Sequence, residues 1–187
     1  MPMPTAQNPN RRYVPTVAGL AGAAIVATAL GVQGEGLRHY AYDDARPHYV
    51  LKPGDKIVGT LTNCIGHTDK AGGEPIVIGR YYSDDECKAI YQHDRKAAVA
   101  TVVAMAPELY INPPTAGAAE DFVLNVGAAN FATSSIRKDF NAGRIEQGCK
   151  RLFDWKYGRV KGVSVVINGL LNRRNSEYQQ CVKGLES

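Results

Sequence analysis

A long uncharged segment near the N-terminus constrains this chain more than any other feature. Residues 13–34 carry no acidic or basic side chain, and Arg11 and Arg12 precede them. A run of this length can cross a bilayer as a helix, and flanking arginines favour a cytoplasmic position for that end. We therefore expect a membrane-targeting helix that exports the rest of the chain.

The composition of this segment indicates a weak membrane span. Residues 17–30 are mostly alanine and glycine, whereas leucine, isoleucine, valine and phenylalanine favour insertion. Two alternatives stay open, a signal peptide cleaved near residues 27–29 and a buried helix of a soluble protein. Residues 1–10 contain three prolines and no charge, and we expect them to form a disordered leader.

The four cysteines indicate disulfide bonds rather than a zinc site. Cys64, Cys87, Cys149 and Cys181 form an even set without a C-x-x-C pair. Spacing alone leaves three full pairings open, among which we favour Cys64 with Cys87 and Cys149 with Cys181, because short loops cost least to close. Disulfides would place the folded body in an oxidising compartment, although buried cytosolic thiols fit the same count.

Composition and charge indicate one globular body with a basic surface. Of the 187 residues, 44% are hydrophobic and 21% are charged, which excludes general disorder. The net charge of +4 suits a polyanionic partner, but an ordinary basic surface is equally consistent with it. We do not expect nucleic-acid binding, because the chain has no dense basic helix and no aromatic platform.

The local patterns predict an α+β fold. Residues 46–61 are expected to form a β-hairpin, and residues 75–82 have a second strand-like pattern. Ser83 and Glu86 form a capping box, which starts a helix that ends at Pro107. Further helices are predicted at residues 113–126, 135–141, 145–157 and 170–182. The result would be a small antiparallel sheet followed by a mainly helical lobe.

Residues 35–68 combine two carboxylates, a hydroxyl and a Gly-His-Thr turn. The notable members of this stretch are Glu35–Arg38, Ala41, Tyr42, Asp44, Thr62, Cys64 and Gly66–Thr68. They resemble the active-site segment of the phage-type lysozymes, glycoside hydrolase family 24. Later segments resemble that family in the same order, namely Glu86–Ala89, Asn125–Gly127, Asn130, Phe131, Trp155 and Gly169–Arg174. The resemblance therefore covers residues 35–181 and implies a lysozyme-like fold.

Within that family the chain is most similar to signal-anchor-release endolysins of double-stranded DNA phages. The resemblance implies insertion through the host Sec export machinery, an inactive form tethered to the inner membrane, and release into the periplasm. Because residues 13–34 contain no cysteine, they resemble the subtype whose released anchor refolds into the body. We divide the chain into a leader and signal-anchor segment, residues 1–34, and a lysozyme-like catalytic domain, residues 35–187.

The resemblance also implies the chemistry. Glycoside hydrolysis needs a carboxylic acid at the leaving oxygen and a carboxylate on the opposite side. Glu35 would be the acid, in an apolar and buried environment, while Asp44 would orient a water that Thr62 helps to hold. The implied reaction is inverting hydrolysis between N-acetylmuramic acid and N-acetylglucosamine of peptidoglycan, for host lysis. The alternative is a membrane-anchored peptidoglycan-binding protein without catalysis.

Two of these roles have competing candidates. Asp43 adjoins Asp44, and the eight-residue interval after the glutamate favours Asp44. Seventeen residues separate Asp44 from Thr62, which is an insertion relative to the short interval usual in the family. Thr60 and Thr68 therefore remain alternatives to Thr62.

Other side chains are expected to support the site. We expect His67 to hold its turn by a hydrogen bond rather than to act as a base or a metal ligand. Arg173 is expected to pair with Glu35 or to contact saccharide, and Asn125 to shape the cleft. Arg174 fits a solvated surface charge equally well. We predict no metal, no cofactor and a monomer.

Overall fold

The computed structural model describes residues 13–160, 162–183 and 185, so the predicted leader and the two arginines that follow it lie outside the described residues. The elements in chain order are α1 (Val17–Glu35), β1 (Arg38–Asp43), β2 (Leu61–Cys64), β3 (His67–Thr68), α2 (Asp84–Asp94), α3 (Lys96–Met105), α4 (Pro113–Val126), α5 (Ala128–Thr133), α6 (Ser135–Asn141), α7 (Ile145–Lys150), β4 (Tyr157–Val160), β5 (Val163–Val166) and α8 (Asn168–Lys183). The predicted α+β class, with a small antiparallel sheet and a mainly helical lobe, is confirmed.

The uncharged N-terminal segment forms α1, which packs along α4. Thr16 caps its first turn, and the Thr16 hydroxyl accepts the N–H of Gly19 at 3.1 Å. The buried face of α1 consists of Gly19, Ala23, Ala27, Leu30 and Gly31. All of these except Leu30 are small residues, and the small residues are spaced four positions apart. A Cβ atom at Gly117 of α4 would lie 2.6 Å from Cβ of Val26, so glycine is needed for this close approach. The same helix is long and apolar enough to cross a membrane.

The three-stranded sheet is antiparallel and lies in the order β1, β2, β3. Tyr42 of β1 pairs with Thr62 of β2, and Thr62 pairs in turn with Thr68 of β3. Directly opposed residues of an antiparallel pair share one face of the sheet. Tyr42, Thr62 and Thr68 therefore form a row across the three strands.

The predicted hairpin at residues 46–61 is wrong, because residues 44–60 form a loop. Turn carbonyls accept some of the backbone N–H groups of this loop, and carboxylate side chains accept others. Asp43 accepts the N–H of Val58, and Asp55 accepts the N–H of Lys52, both at 2.8 Å. The predicted strand at residues 75–82 is also wrong. That segment is irregular, with one turn at residues 78–79.

Arg95 divides the single helix that the capping box predicted into α2 and α3. The capping box itself is confirmed, since Ser83 and Glu86 exchange both of its hydrogen bonds. Arg95 is buried and forms an ion pair with Glu120 of α4, and it also donates to Gln92. Helical periodicity does not reveal such a tertiary ion pair, and the pattern therefore predicted a continuous helix.

The C-terminal half largely follows the predicted helices. Ser134 caps α6, and α8 spans the predicted helix, whereas the helix expected at residues 145–157 is shorter and changes into a 3₁₀ turn at Arg151–Trp155. The β4–β5 hairpin was not predicted. Two disulfides are present among the described residues, Cys64–Cys87 between β2 and α2 and Cys149–Cys181 between α7 and α8. This is the pairing favoured by loop length.

Candidate active site

Glu35 is the last residue of α1 and lies at the mouth of a cleft. The cleft has a volume of about 250 Å³, and its lining includes Glu35, Ile65, Gly66, Thr68, Tyr91, Asp94, Asn125 and Arg173. The Glu35 side chain reaches the turn between β2 and β3. A Cβ atom at Gly66 would lie 3.0 Å from Cγ of Glu35, and Gly66 has a φ of +73°, so both space and backbone geometry require glycine there.

Arg173 of α8 connects Glu35 to a buried aspartate. Its Nη1 atom lies 2.5 Å from Oε1 of Glu35, while Nε and Nη2 donate to the two carboxylate oxygens of Asp121 at 3.1 and 3.0 Å. Burial by itself would lower the pKa of Arg173, but the charges of Asp121 and Glu35 outweigh it and the pKa is raised. Arg173 is therefore a fixed cation beside Glu35.

The expected apolar burial of Glu35 is wrong. The Glu35 side chain is 40% exposed and is paired with Arg173, whose own side chain is only 10% exposed. The apolar setting was expected because the acid role implied by the family resemblance favours burial of the carboxyl group. The helix ends at Glu35, however, and its last side chain projects beyond the helix contact with α4 toward α8 and the sheet.

Asp43 and Asp44 differ sharply in their surroundings. The Asp43 side chain is fully buried, and its carboxylate accepts hydrogen bonds from the backbone N–H groups of Val58 and Gly59 and from the Arg46 guanidinium. These donors, led by the Val58 N–H, outweigh burial and lower the pKa of Asp43 to about 2. Asp43 therefore organises the 44–60 loop.

Asp44 follows β1 and is exposed to solvent. Its Oδ1 atom accepts the N–H of Thr60 at 2.6 Å, which leaves the other carboxylate oxygen open. Asp44 lies in the turn after β1, two residues beyond Tyr42. Asp44 and Thr62 are not among the residues that line the cleft of Glu35.

Tyr42 is a site residue to which the sequence reasoning gave no role. Burial raises the pKa of its phenol, and the negative charges of Glu35 and Asp44 raise it further against the opposing charge of Arg38. Both carboxylates therefore act on one hydroxyl. The Arg38 guanidinium lies 4.6 Å from the centre of the Tyr42 ring. The available signal was the position of Tyr42 two residues before Asp44.

The three threonine candidates occupy different positions. Thr62 is buried in the middle strand, and its hydroxyl donates to the carbonyl of Thr60 at 3.1 Å. The backbone of Thr60 holds Asp44. Thr68 lines the cleft together with Glu35. The row formed by Tyr42, Thr62 and Thr68 therefore runs from β1, which Asp44 follows, to the cleft that Thr68 lines.

His67 is buried and faces the end of α2. Its Nδ1 atom lies 2.9 Å from a carboxylate oxygen of Asp94, an arrangement that holds β3 against the helix. This geometry agrees with the expected hydrogen-bonding role. Among residues 13–160, 162–183 and 185, no group of three or more histidine, cysteine, aspartate or glutamate side chains is placed to hold a metal ion.

Arg174 is not the solvated surface charge that remained open from the sequence. It is fully buried, and its Nη2 atom donates to Glu177 at 2.7 Å and to Asn125 at 2.9 Å. Burial raises the pKa of Glu177. Adjacent residues on a helix point in different directions, so Arg173 faces the cleft while Arg174 enters the core. Asn125 lines the cleft and contacts Arg174 from the outside.

The fold and the site together are of lysozyme type, with a glutamate at the end of a helix facing a small antiparallel sheet across a cleft. A family model described as Phage lysozyme matches residues 32–177. The chain belongs to the phage lysozyme family.

Similarity to individual proteins extends over nearly the whole chain. A SAR-endolysin of Bacteriophage PS119 is 33% identical over 90% of this chain and 92% of its own length. A SAR-endolysin of Enterobacteria phage PA-2 is 33% identical over 89% of this chain and 93% of its own length. The solved endolysin from Escherichia coli O157:H7 phage FAHEc1 has a TM-score of 0.63 at 22% identity, covering 92% of this chain and 95% of that one. The lysozyme-like fold and the resemblance to signal-anchor-release endolysins are confirmed.

Proposed function

We propose that this protein is an endolysin that hydrolyses the bonds between N-acetylmuramic acid and N-acetylglucosamine in peptidoglycan and so lyses a bacterial host. The observation that carries the proposal is the position of Glu35, whose carboxyl group faces a cleft and is held by Arg173. Membership of the phage lysozyme family and the SAR-endolysin relatives support the same function.

Glu35 acts as the general acid in this proposal. Its Oε1 atom accepts the hydrogen bond from Arg173, so Oε2 is the oxygen that carries the proton to the leaving glycosidic oxygen. After the transfer, both oxygens share the negative charge, and the adjacent guanidinium stabilises it. The ion pair therefore favours the product state of the acid step.

Asp44 acts as the carboxylate that orients the attacking water, as an inverting reaction requires. Its exposure and its single backbone hydrogen bond leave one oxygen available for that water. Thr62 assists in holding the water. The pairing of Thr62 with Tyr42, whose phenol feels both carboxylates, supports this assignment.

Delivery of the enzyme is the second part of the proposal. Residues 13–34 insert transiently into the inner membrane through the Sec machinery with the N-terminus in the cytoplasm, and the catalytic domain, residues 35–187, faces the periplasm. Release then lets α1 pack on α4. Cleavage near residues 27–29 is disfavoured, because it would remove most of the helix whose last residue is Glu35.

The test of the enzymatic proposal is Glu35→Gln in the full chain, with Glu108→Gln, an exposed glutamate of the Pro107–Ile111 turn, as the matched control. Turbidity of outer-membrane-permeabilised cells and new reducing ends from purified sacculi are measured. We expect wild-type folding without activity for Glu35→Gln and full activity for Glu108→Gln. Wild-type activity of Glu35→Gln would reject the acid assignment, and binding to sacculi without new reducing ends in the wild type would support the non-catalytic alternative.

The delivery proposal is tested by fractionation of cells that express the full chain. We expect the protein in the membrane fraction before an uncoupler is added and in the periplasm afterwards, at unchanged mass. A loss of about thirty residues on export, the length of a signal peptide, would show cleavage instead.

A further inference from the structure

The hydroxyl of Tyr91 connects α1 to the polar residues behind the active site. Tyr91 lies in α2 and is buried, and its hydroxyl lies 3.0 Å from the carbonyl oxygen of Ala27 in α1. The same hydroxyl lies 3.4 Å from Oδ1 of Asp121 in α4. The Tyr91 ring also packs so closely on Gly31 that a Cβ atom there would overlap it. Tyr91 therefore contacts α1 through both its ring and its hydroxyl.

These contacts continue to Glu35 without a gap. The Asp121 carboxylate that faces Tyr91 accepts two hydrogen bonds from Arg173, and Arg173 donates to Glu35. The path runs from Ala27 through Tyr91, Asp121 and Arg173 back to Glu35, so it leaves α1 and returns to α1 eight residues later. Four helices contribute to it, and Asp121 is fully buried. A displacement of α1 would disturb both ends of the path together.

Burial raises the pKa of the Tyr91 phenol, and the charge of Asp121 raises it further. The hydroxyl therefore remains a donor with one proton, shared between the Ala27 carbonyl and the Asp121 carboxylate. The Ala27 carbonyl is the nearer acceptor, so α1 holds the Tyr91 hydroxyl in place beside the Asp121 carboxylate. Arg173 binds the same carboxylate on both of its oxygens.

We propose that Tyr91 is a positioning residue for Glu35, which couples the docking of α1 through Asp121 and Arg173 to the orientation of the catalytic acid. The inference rests on the proposed function, because it assigns Tyr91 a part in the same acid step. Besides this path, charged or titratable groups near Glu35 and Arg173 include Tyr42 of β1, Asp94 of α2, which lines the same cleft, and buried Glu177 of α8, whose Oε1 atom lies 3.6 Å from Nε of Arg173.

The experiment compares Tyr91→Phe with Tyr110→Phe in the full chain. Tyr110 is a matched control, since its buried hydroxyl donates to the Glu120 carboxylate at 2.6 Å and its backbone contacts Gly19, at the opposite end of α1 from Glu35. We expect Tyr91→Phe to lower kcat about tenfold at unchanged KM, because small displacements of reacting groups cost rate rather than binding. Tyr110→Phe should keep the wild-type kcat. Both are assayed well below their unfolding midpoints.

A second variant, Asp121→Asn, separates positioning from folding. It retains the size of the side chain but removes the charge that offsets Arg173, so the ionised form of Glu35 is favoured. We expect the basic limb of the kcat–pH profile to move to lower pH. If both residues act along one path, the double variant should lose much less activity than the product of the two single losses.

The outcomes distinguish the inference from the proposed function. Wild-type kcat in Tyr91→Phe, or equal losses in Tyr91→Phe and Tyr110→Phe, would overturn the positioning role while Glu35→Gln remained inactive. If Tyr91→Phe fails to fold, an unchanged kcat–pH profile in Asp121→Asn would likewise overturn the positioning role. Activity in Glu35→Gln would instead reject the proposed function.

Discussion

The Nη1 atom of Arg173 in α8 lies 2.5 Å from Oε1 of Glu35, the last residue of α1. This contact joins residues 138 positions apart in the chain. Because Arg173 also binds buried Asp121, it links Glu35 to the core of the helical lobe. The apolar N-terminal helix is thereby part of the site geometry.

Arg173→Gln should reduce both stability and activity. The buried Asp121 carboxylate would lose its guanidinium partner, and removing one member of a buried pair costs about 3 kcal/mol. Denaturant unfolding measures the loss of unfolding free energy. Arg159→Gln, on the exposed face of β4, is the control and should leave both properties unchanged. Equal stability of the two variants would contradict the importance of the Asp121 pair.

Asp44→Asn should remove activity without affecting the fold. Asp44 is exposed and is bound through one backbone N–H, so the amide can keep that contact as an acceptor. Loss of a catalytic carboxylate costs about 100-fold or more in kcat. Release of reducing ends from sacculi measures kcat, and circular dichroism checks the fold. Activity close to wild type would contradict the assignment of Asp44 as the second catalytic carboxylate.

Asp43→Asn should make stability less dependent on pH in acid. The pKa of Asp43 is about 2 in the folded protein, below the ordinary aspartate value of about 3.9 in an unfolded chain. The stabilisation is therefore complete above about pH 4 and is lost as the pH falls through about 2. Thermal unfolding midpoints of wild type and variant should differ at pH 6 and converge toward pH 2. Asp154→Asn, at an exposed carboxylate, serves as the control.

Gly117→Ala should weaken the packing of α1. The new methyl group would overlap Val26 and the carbonyl of Ala23, and overpacking of this kind costs about 1–3 kcal/mol. Gly169→Ala is the matched control, because a Cβ atom there meets nothing within 4 Å. Thermal unfolding should show a lower midpoint for Gly117→Ala alone. Similar midpoints would mean that α1 can shift on α4 without cost.

Removing the Cys149–Cys181 disulfide by a double alanine substitution should destabilise the protein. The bridge closes a loop of 32 residues between α7 and α8, for which chain entropy predicts about 3–4 kcal/mol. Denaturant unfolding measures the change, and non-reducing peptide mapping of the wild type identifies the bonds. A peptide that links Cys64 to Cys149 would reject the pairing.

Features with local causes were predictable from the sequence. The capping box at Ser83, the cap at Ser134 and the end of α4 before Gly127 each depend on a few neighbouring residues. The long uncharged run predicted α1 because an apolar segment of this length favours a helix. The ordered motifs from Glu35 to Cys181 identified the family, since their order along the chain does not depend on the structure.

Other features depended on groups that meet only in the folded protein. Asp43 accepts donors from a loop some fifteen residues away, Arg95 pairs with Glu120, and Arg173 contacts Glu35, 138 positions earlier in the chain. Periodicity cannot show which carboxylate a guanidinium will reach. It therefore left Asp43 and Asp44 in competition and left open whether Arg174 is a solvated surface charge.

The sequence by itself determined the family, the apolar α1 helix and the identity of the candidate acid. The tertiary structure decided which aspartate is buried, which arginine faces the cleft and how α1 is held. The physical reason is that helix formation and capping are set by neighbouring residues, whereas a buried charge is stabilised only by partners that folding brings into contact.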